Sequence, residues 1–130
     1  MCALIKAIDH VQVCIPPGNE NKARKFYSDI LGLPEIEKPD ALKPKGGLWY
    51  QIGPLQLHIG VENMTRELGK RHVAFEVVDI EEARTLLNQK SIPIKNETPI
   101  PNVDRFSFRD PFGNRIELLQ KVIVHPKKKA

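Results

Sequence analysis

Ile8-Asp9-His10-Val11-Gln12-Val13-Cys14-Ile15 is a strand by its own chemistry: β-branched Val11, Val13 and Ile15 alternate with their neighbours until Pro16, Pro17 and Gly18 stop the run. A period of two puts His10 on one face with Ile8, Gln12 and Cys14. From Asn21 the period lengthens to that of a helix, with Ala23, Phe26, Tyr27, Ile30 and Leu31 in one stripe, Gly32 placed as a C-terminal cap and Pro34 beyond it. Two further strands, 47–52 and 55–61, flank the turn at Gly53 and Pro54. Between Gly32 and Gly46, prolines and charged side chains around Asp40 predict a loop or a weak edge strand.

The same order then returns. Residues 71–78 read as a strand, 80–89 as a helix, 103–108 as a strand, and 114–120 as a strand after the Asp110-Pro111-Phe112-Gly113 turn. Ala23-Arg24 and Ala83-Arg84 occupy matching places in the two helices. A repeated supersecondary unit buries its apolar face against its neighbour, within the chain or across a dimer. The expectation is an α+β fold: one domain, 5–120, made of two tandem βαβββ modules at about 5–62 and 70–120, forming a curved mixed sheet that cups a site, followed by a basic tail at 121–130.

Composition narrows the function classes. The chain has 130 residues and a formal charge of +4, but setting aside Lys127, Lys128 and Lys129 leaves 17 basic against 16 acidic residues. A basic triplet at a chain end is a solvated tail rather than a phosphate-binding surface, so no nucleic-acid partner is expected. Cys2 and Cys14 are the two cysteines, without a Cys-x-x-Cys pair or a secretory leader, which points to the cytoplasm. Charged residues interrupt every apolar stretch before the roughly 20 residues that a membrane crossing needs, so no membrane partner is expected either. Cys14, inside an apolar strand, reads as an inert thiol.

Four side chains stand out as metal ligands. His10 and His58 are 48 positions apart, and His72 and Glu117 are 45 apart, so each half opens and closes with a candidate ligand on a strand. Imidazole with carboxylate is a common donor set for a first-row divalent cation. Each residue alone has a plainer reading, since a strand histidine is more often simply hydrogen-bonded. Glu117, flanked by helix-facing Ile116 and Leu118, would point a carboxylate to the concave side, where a cation or the nearby Arg115 must compensate it. Trp49 and Tyr50 alternate, one toward the site, where Trp49 could stack a planar substrate, and one toward the helices. His125, beyond the repeat, reads as a tail residue.

Five fragments carry a family resemblance: Asp9-His10-Val11; Phe26-Tyr27-Ser28-Asp29-Ile30-Leu31-Gly32-Leu33; Leu57-His58-Ile59-Gly60; His72-Val73-Ala74-Phe75; and Asp110-Pro111-Phe112-Gly113-Asn114-Arg115-Ile116-Glu117-Leu118. In this order, from about Ile5 to Gln120, they resemble the glyoxalase, bleomycin-resistance and dioxygenase proteins, also known as the vicinal oxygen chelate superfamily. The resemblance implies a paired βαβββ fold, commonly dimeric, whose open barrel holds one divalent ion (Zn, Ni, Mn or Fe) that chelates neighbouring oxygens of a small-molecule substrate. It matches His10, His72 and Glu117 to the family's ligands. It places His58 where glyoxalase I carries a glutamate that binds metal and moves protons, making His58 and Glu117 the candidate catalytic groups and Trp49 and Arg115 candidate pocket residues. Cys14 and Glu62 stand where family glyoxalases carry an arginine and an asparagine for glutathione, and the run Leu118-Leu119-Gln120-Lys121 departs from the fosfomycin-modifying pattern. The implied activity is a metal-dependent lyase or isomerase; the alternatives are an extradiol-type Fe(II) dioxygenase and, in another class, a non-catalytic drug-binding protein of the bleomycin-resistance type.

Overall fold

The computed structural model describes residues 3–64 and 69–122. The chain divides into two compact units, Met1–Glu67 and Leu68–Ala130. The basic tail and His125 lie outside the described residues.

In the first unit, β1 (His10–Ile15), β2 (Glu35–Ile36), β3 (Leu48–Ile52) and β4 (Leu55–Val61) form a four-stranded sheet in the order β1-β4-β3-β2. β1 runs parallel to β4, and the other pairs are antiparallel. The parallel pair needs a long crossover, which carries the helix α1 (Glu20–Arg24) and its π-helical continuation Lys25–Ile30. The wider turn, with the Leu31 N–H donating to the Phe26 carbonyl at 2.9 Å, delivers adjacent Phe26 and Tyr27 to the sheet, where both are buried. Ile15, Leu48, Tyr50, Leu57 and Ile59 are buried in the same unit, and the Tyr27 and Tyr50 rings lie 6.1 Å apart. The phenol of Tyr50 stays satisfied through a 2.8 Å hydrogen bond with Ser28. Gly47 allows β3 to enter against β4: its φ is +90°, and any Cβ would collide with the Ile59 carbonyl oxygen.

The second unit repeats the plan. β5 (His72–Glu76), β6 (Ile94–Asn96), β7 (Val103–Arg109) and β8 (Arg115–Lys121) form a sheet in the order β5-β8-β7-β6, again with one parallel pair, β5 with β8. The crossover helix α2 (Ile80–Gln89) is capped by Asp79, whose carboxylate accepts from the Glu81 and Glu82 N–H groups at 2.9 and 3.1 Å. The Gln120 side-chain oxygen accepts from the Ile80 N–H at 3.0 Å and ties the helix start to β8. Ile80 and Leu87 are buried with Phe106, Phe108, Ile116 and Leu118. Buried Asp110 shapes the β7–β8 turn by accepting from the Phe112 and Asn114 N–H groups at 2.9 and 2.8 Å, and so fixes the register that sets Ser107 opposite Glu117.

The expected α+β class and doubled βαβββ order are both present, as two four-stranded mixed sheets. The stretch expected to be loop or weak edge strand contains β2 and a 3-10 helix, Asp40–Lys45. β1 begins at His10, two residues later than the alternation suggests, and Ile8 is exposed. Among the described residues, no helix is long and apolar enough to cross a membrane.

Candidate functional site

Each sheet uses one face for its helix and leaves the other for polar chemistry. In the first unit the polar face carries His10, Gln12 and Cys14 from β1, Gln56, His58 and Gly60 from β4, and Trp49 and Gln51 from β3. The antiparallel register sets Trp49 directly across from His58, and their rings stack at 3.8 Å with an interplanar angle of 6°. The His10 ring covers the other side of His58 at 4.0 Å and 16°. His58 is therefore the middle layer of a three-ring stack, 6 % exposed. Burial pushes its pKa down, helped by the neighbouring His10 charge, so the ring is neutral near pH 7. Its Nε2 lies 2.9 Å from the Gln56 side-chain oxygen. Amide oxygens accept, so Nε2 carries the proton and Nδ1 the lone pair.

His10 is held the opposite way. Its Nδ1 is 2.9 Å from an Asp9 carboxylate oxygen, which leaves Nε2 as the free nitrogen. On the same face, the Gln12 amide occupies the space that a Cβ at Gly60 would take. Beside it Cys14 is half-buried, and burial, then a hydrogen bond and charge from Glu62, push its thiol up. A thiol held protonated is a poor nucleophile, in keeping with the inert role read from the sequence.

In the second unit the polar face carries His72 on β5, Glu117 and Arg115 on β8, and Arg105, Ser107 and Arg109 on β7. His72 Nε2 lies 3.6 Å from a Glu117 carboxylate oxygen, while His72 Nδ1 is 2.9 Å from the Lys70 carbonyl. A carbonyl can only accept, so here too Nδ1 holds a proton, and the contact directs Nε2 toward the carboxylate. Glu117 is 5 % exposed, and its charge is met by Arg105 at 2.9 Å. Arg105 was not singled out by its sequence context. Its position follows from register, because Ser107 is directly opposite Glu117 and Arg105 is the diagonal cross-strand neighbour. Arg115, expected as the compensating cation for Glu117, pairs instead with Glu97 at 2.9 Å. Hydrogen bonds from Ser107 first and Arg115 second hold the Glu97 carboxyl well below the usual range, at about 2.

The four expected ligands thus stand as two pairs, His10 with His58 on one sheet and His72 with Glu117 on the other. Among the described residues, no group of three or more His, Cys, Asp or Glu side chains is assembled to hold a metal ion. The donor chemistry of three residues nevertheless fits one. Metal-binding histidines characteristically donate one ring N–H to a carboxylate or carbonyl, which orients the other nitrogen. His10 with Asp9 and His72 with Lys70 both have this arrangement, and Glu117 supplies the anion. His58 fits less well, because its Nε2 is engaged by Gln56 and its ring is clamped flat between two others.

The glyoxalase/bleomycin resistance protein/dioxygenase superfamily model matches residues 7–118. The crystal structure of a protein from Bacillus anthracis assigned to the glyoxalase family is similar at 42 % identity, over 93 % of this chain and 99 % of that one, with a TM-score of 0.87. Lactoylglutathione lyase from Agrobacterium tumefaciens shares the fold at 21 % identity, over 89 % of this chain and 94 % of that one, with a TM-score of 0.66. The fosfomycin resistance protein FosX from Listeria monocytogenes shares it at 18 % identity, over 92 % and 97 %, with a TM-score of 0.71. No curated protein matches the sequence significantly.

Proposed function

The chain belongs to the glyoxalase/bleomycin resistance protein/dioxygenase superfamily, and on that footing we propose that it is a metal-dependent enzyme acting on a small oxygen-bearing molecule by lyase- or isomerase-type chemistry. In this reading His10, His72 and Glu117 bind one divalent ion, Zn, Ni, Mn or Fe, and the working protein is a homodimer. The observation that carries it is the His72–Glu117 pair at 3.6 Å, with His72 anchored through Nδ1 so that Nε2 faces the carboxylate. Two imidazoles and one carboxylate leave coordination positions open for substrate. Such an ion, when bound, spreads the negative charge that develops on a substrate oxygen.

The protein's own groups have separable roles. Asp9 and the Lys70 carbonyl orient the two ligand imidazoles. Arg105 donates to the Glu117 carboxylate and fixes its direction. His58, neutral and with its lone pair at Nδ1, takes a proton from substrate; joining the ligand set from Nε2 would require it to give up Gln56. Trp49, flat against His58, offers the stacking wall.

Elemental analysis of purified variants tests the assignment. His10→Ala and Glu117→Ala should each lose the stoichiometric ion while keeping the wild-type circular dichroism spectrum, whereas His58→Ala should keep the ion and lose turnover. A full metal equivalent retained in both of the first two variants would contradict the ligand set.

A further inference from the structure

A cavity of about 620 Å³ opens in the second unit, a volume within the range of small-molecule sites. Its lining is charged in one sense. Lys70, Lys95, Arg109 and Arg115 contribute four cations, against the single carboxylate of Glu97. Like charges gathered around a concavity repel one another and focus their field into it, which raises the local concentration of anions.

Glu97 is one such anion, and its partners show how far it goes. It accepts from Ser107 and from Arg115, so its charge is consumed by one guanidinium and one hydroxyl. The hydrogen bond from Ser107 and then that from Arg115 hold its carboxyl at about 2, and the Lys95 charge adds the smallest share. Arg109 donates from Nη1 to the Gly69 and Gly113 carbonyls, which remove none of its charge. The Lys70 and Lys95 ammonium groups make no hydrogen bond or ion pair among the described residues, though both line the cavity. Two unpaired ammonium groups and a guanidinium with uncompensated charge are the complement of a phosphate or carboxylate.

The cavity also adjoins the chemistry. Ser107 in its wall is directly across from Glu117, and Arg115 is directly across from His72. We propose that this cavity receives the anionic end, a phosphate or carboxylate group, of the small molecule whose oxygen-bearing carbon reacts beside His72 and Glu117. The inference rests on the function proposed above for where the reaction occurs, but the cavity's affinity for anions does not depend on a metal. Lys70 and Lys95 hold the group by charge, Arg109 adds to the field, and Glu97 acts as the resident counter-anion that keeps Arg115 and Ser107 in place between substrates.

Calorimetric titration of the chelator-treated full chain, in low salt near pH 7, tests it with two probes, inorganic phosphate and succinate. Saturable one-site binding of either supports the proposal, and the probe that binds identifies the group. Affinity should fall about tenfold in the Lys70→Gln/Lys95→Gln double variant, whose lost ammonium groups hold nothing in the fold, and should weaken as salt rises. It should rise a few-fold in Glu97→Gln, which removes the internal competitor. Lys95→Glu alone supplies a second measurement and should abolish binding. No saturable binding of either probe, unchanged affinity in the double variant, or weaker binding in Glu97→Gln would each overturn the proposal. Because no metal is present in the titration, failure of the ligand assignment would leave this result standing, and the converse also holds.

Discussion

Glu117 carries its charge at 5 % exposure, a position in which an uncompensated carboxylate is expensive. Arg105, 2.9 Å away, is the compensation present in the fold, and its second amino group is tied to the Thr98 carbonyl at 2.8 Å. The Nε of Arg105 is buried without a hydrogen-bond partner among the described residues, a cost the fold tolerates to keep the guanidinium at this place. Replacing Arg105 by Met should therefore cost more than its lost packing, about 2–4 kcal/mol, because Glu117 would remain buried with only His72 nearby. Urea denaturation measures this, and added Zn or Mn should recover part of the loss by standing in for the missing cation. A variant as stable as wild type without metal would show that Arg105 is not what compensates the carboxylate. The ligand candidates themselves were legible from residue type and spacing. Arg105 was not, because its role depends on the β7–β8 register, which Asp110 and its turn determine.

At the scale of elements, the two crossover helices do the same work by different means. Asp79 caps α2 through its own carboxylate, whereas the Asn19 side chain ahead of α1 donates back to the Pro16 and Pro17 carbonyls and braces the preceding turn. Asp79→Ala should accordingly destabilise the chain by about 1 kcal/mol, measured by denaturant midpoint at constant slope. Loss of a few tenths or less would mean that the Gln120 tether alone holds the helix start. Helices and long strands were readable because their apolar periods differ. The short strand β6 was not: Ile94–Asn96 has too few residues to show alternation and is a strand because β7 offers it an edge, whereas β2, Glu35–Ile36, falls in the stretch expected to be loop or weak edge strand. The π-helical stretch was equally hidden, since an amide reaching five residues back leaves no mark on composition.

For the whole molecule, the repeated order was the most legible feature, because two equivalent strand–helix–strand runs could be aligned by eye against Ala23-Arg24 and Ala83-Arg84. The proposed homodimer belongs to this scale. β1 and β5 each end their sheets, and exposed Leu4, Ile5 and Ile8 lead into β1. Terminal strands with apolar approaches favour association with further protein surface. Light scattering at micromolar concentration should return the mass of two chains, and a Leu4→Lys/Ile5→Lys variant should shift it toward one. A single-chain mass for the wild type across that range would remove the dimer from the proposal.

Trp49 is the protein's single tryptophan, and its indole lies flat on the imidazole of His58. Imidazolium quenches indole emission and neutral imidazole does so far less, so the molecule contains its own optical probe, with no label to attach and no second fluorophore of that kind to subtract. Anything that protonates, displaces or rotates the middle ring of the stack will be written in the brightness of that one chromophore.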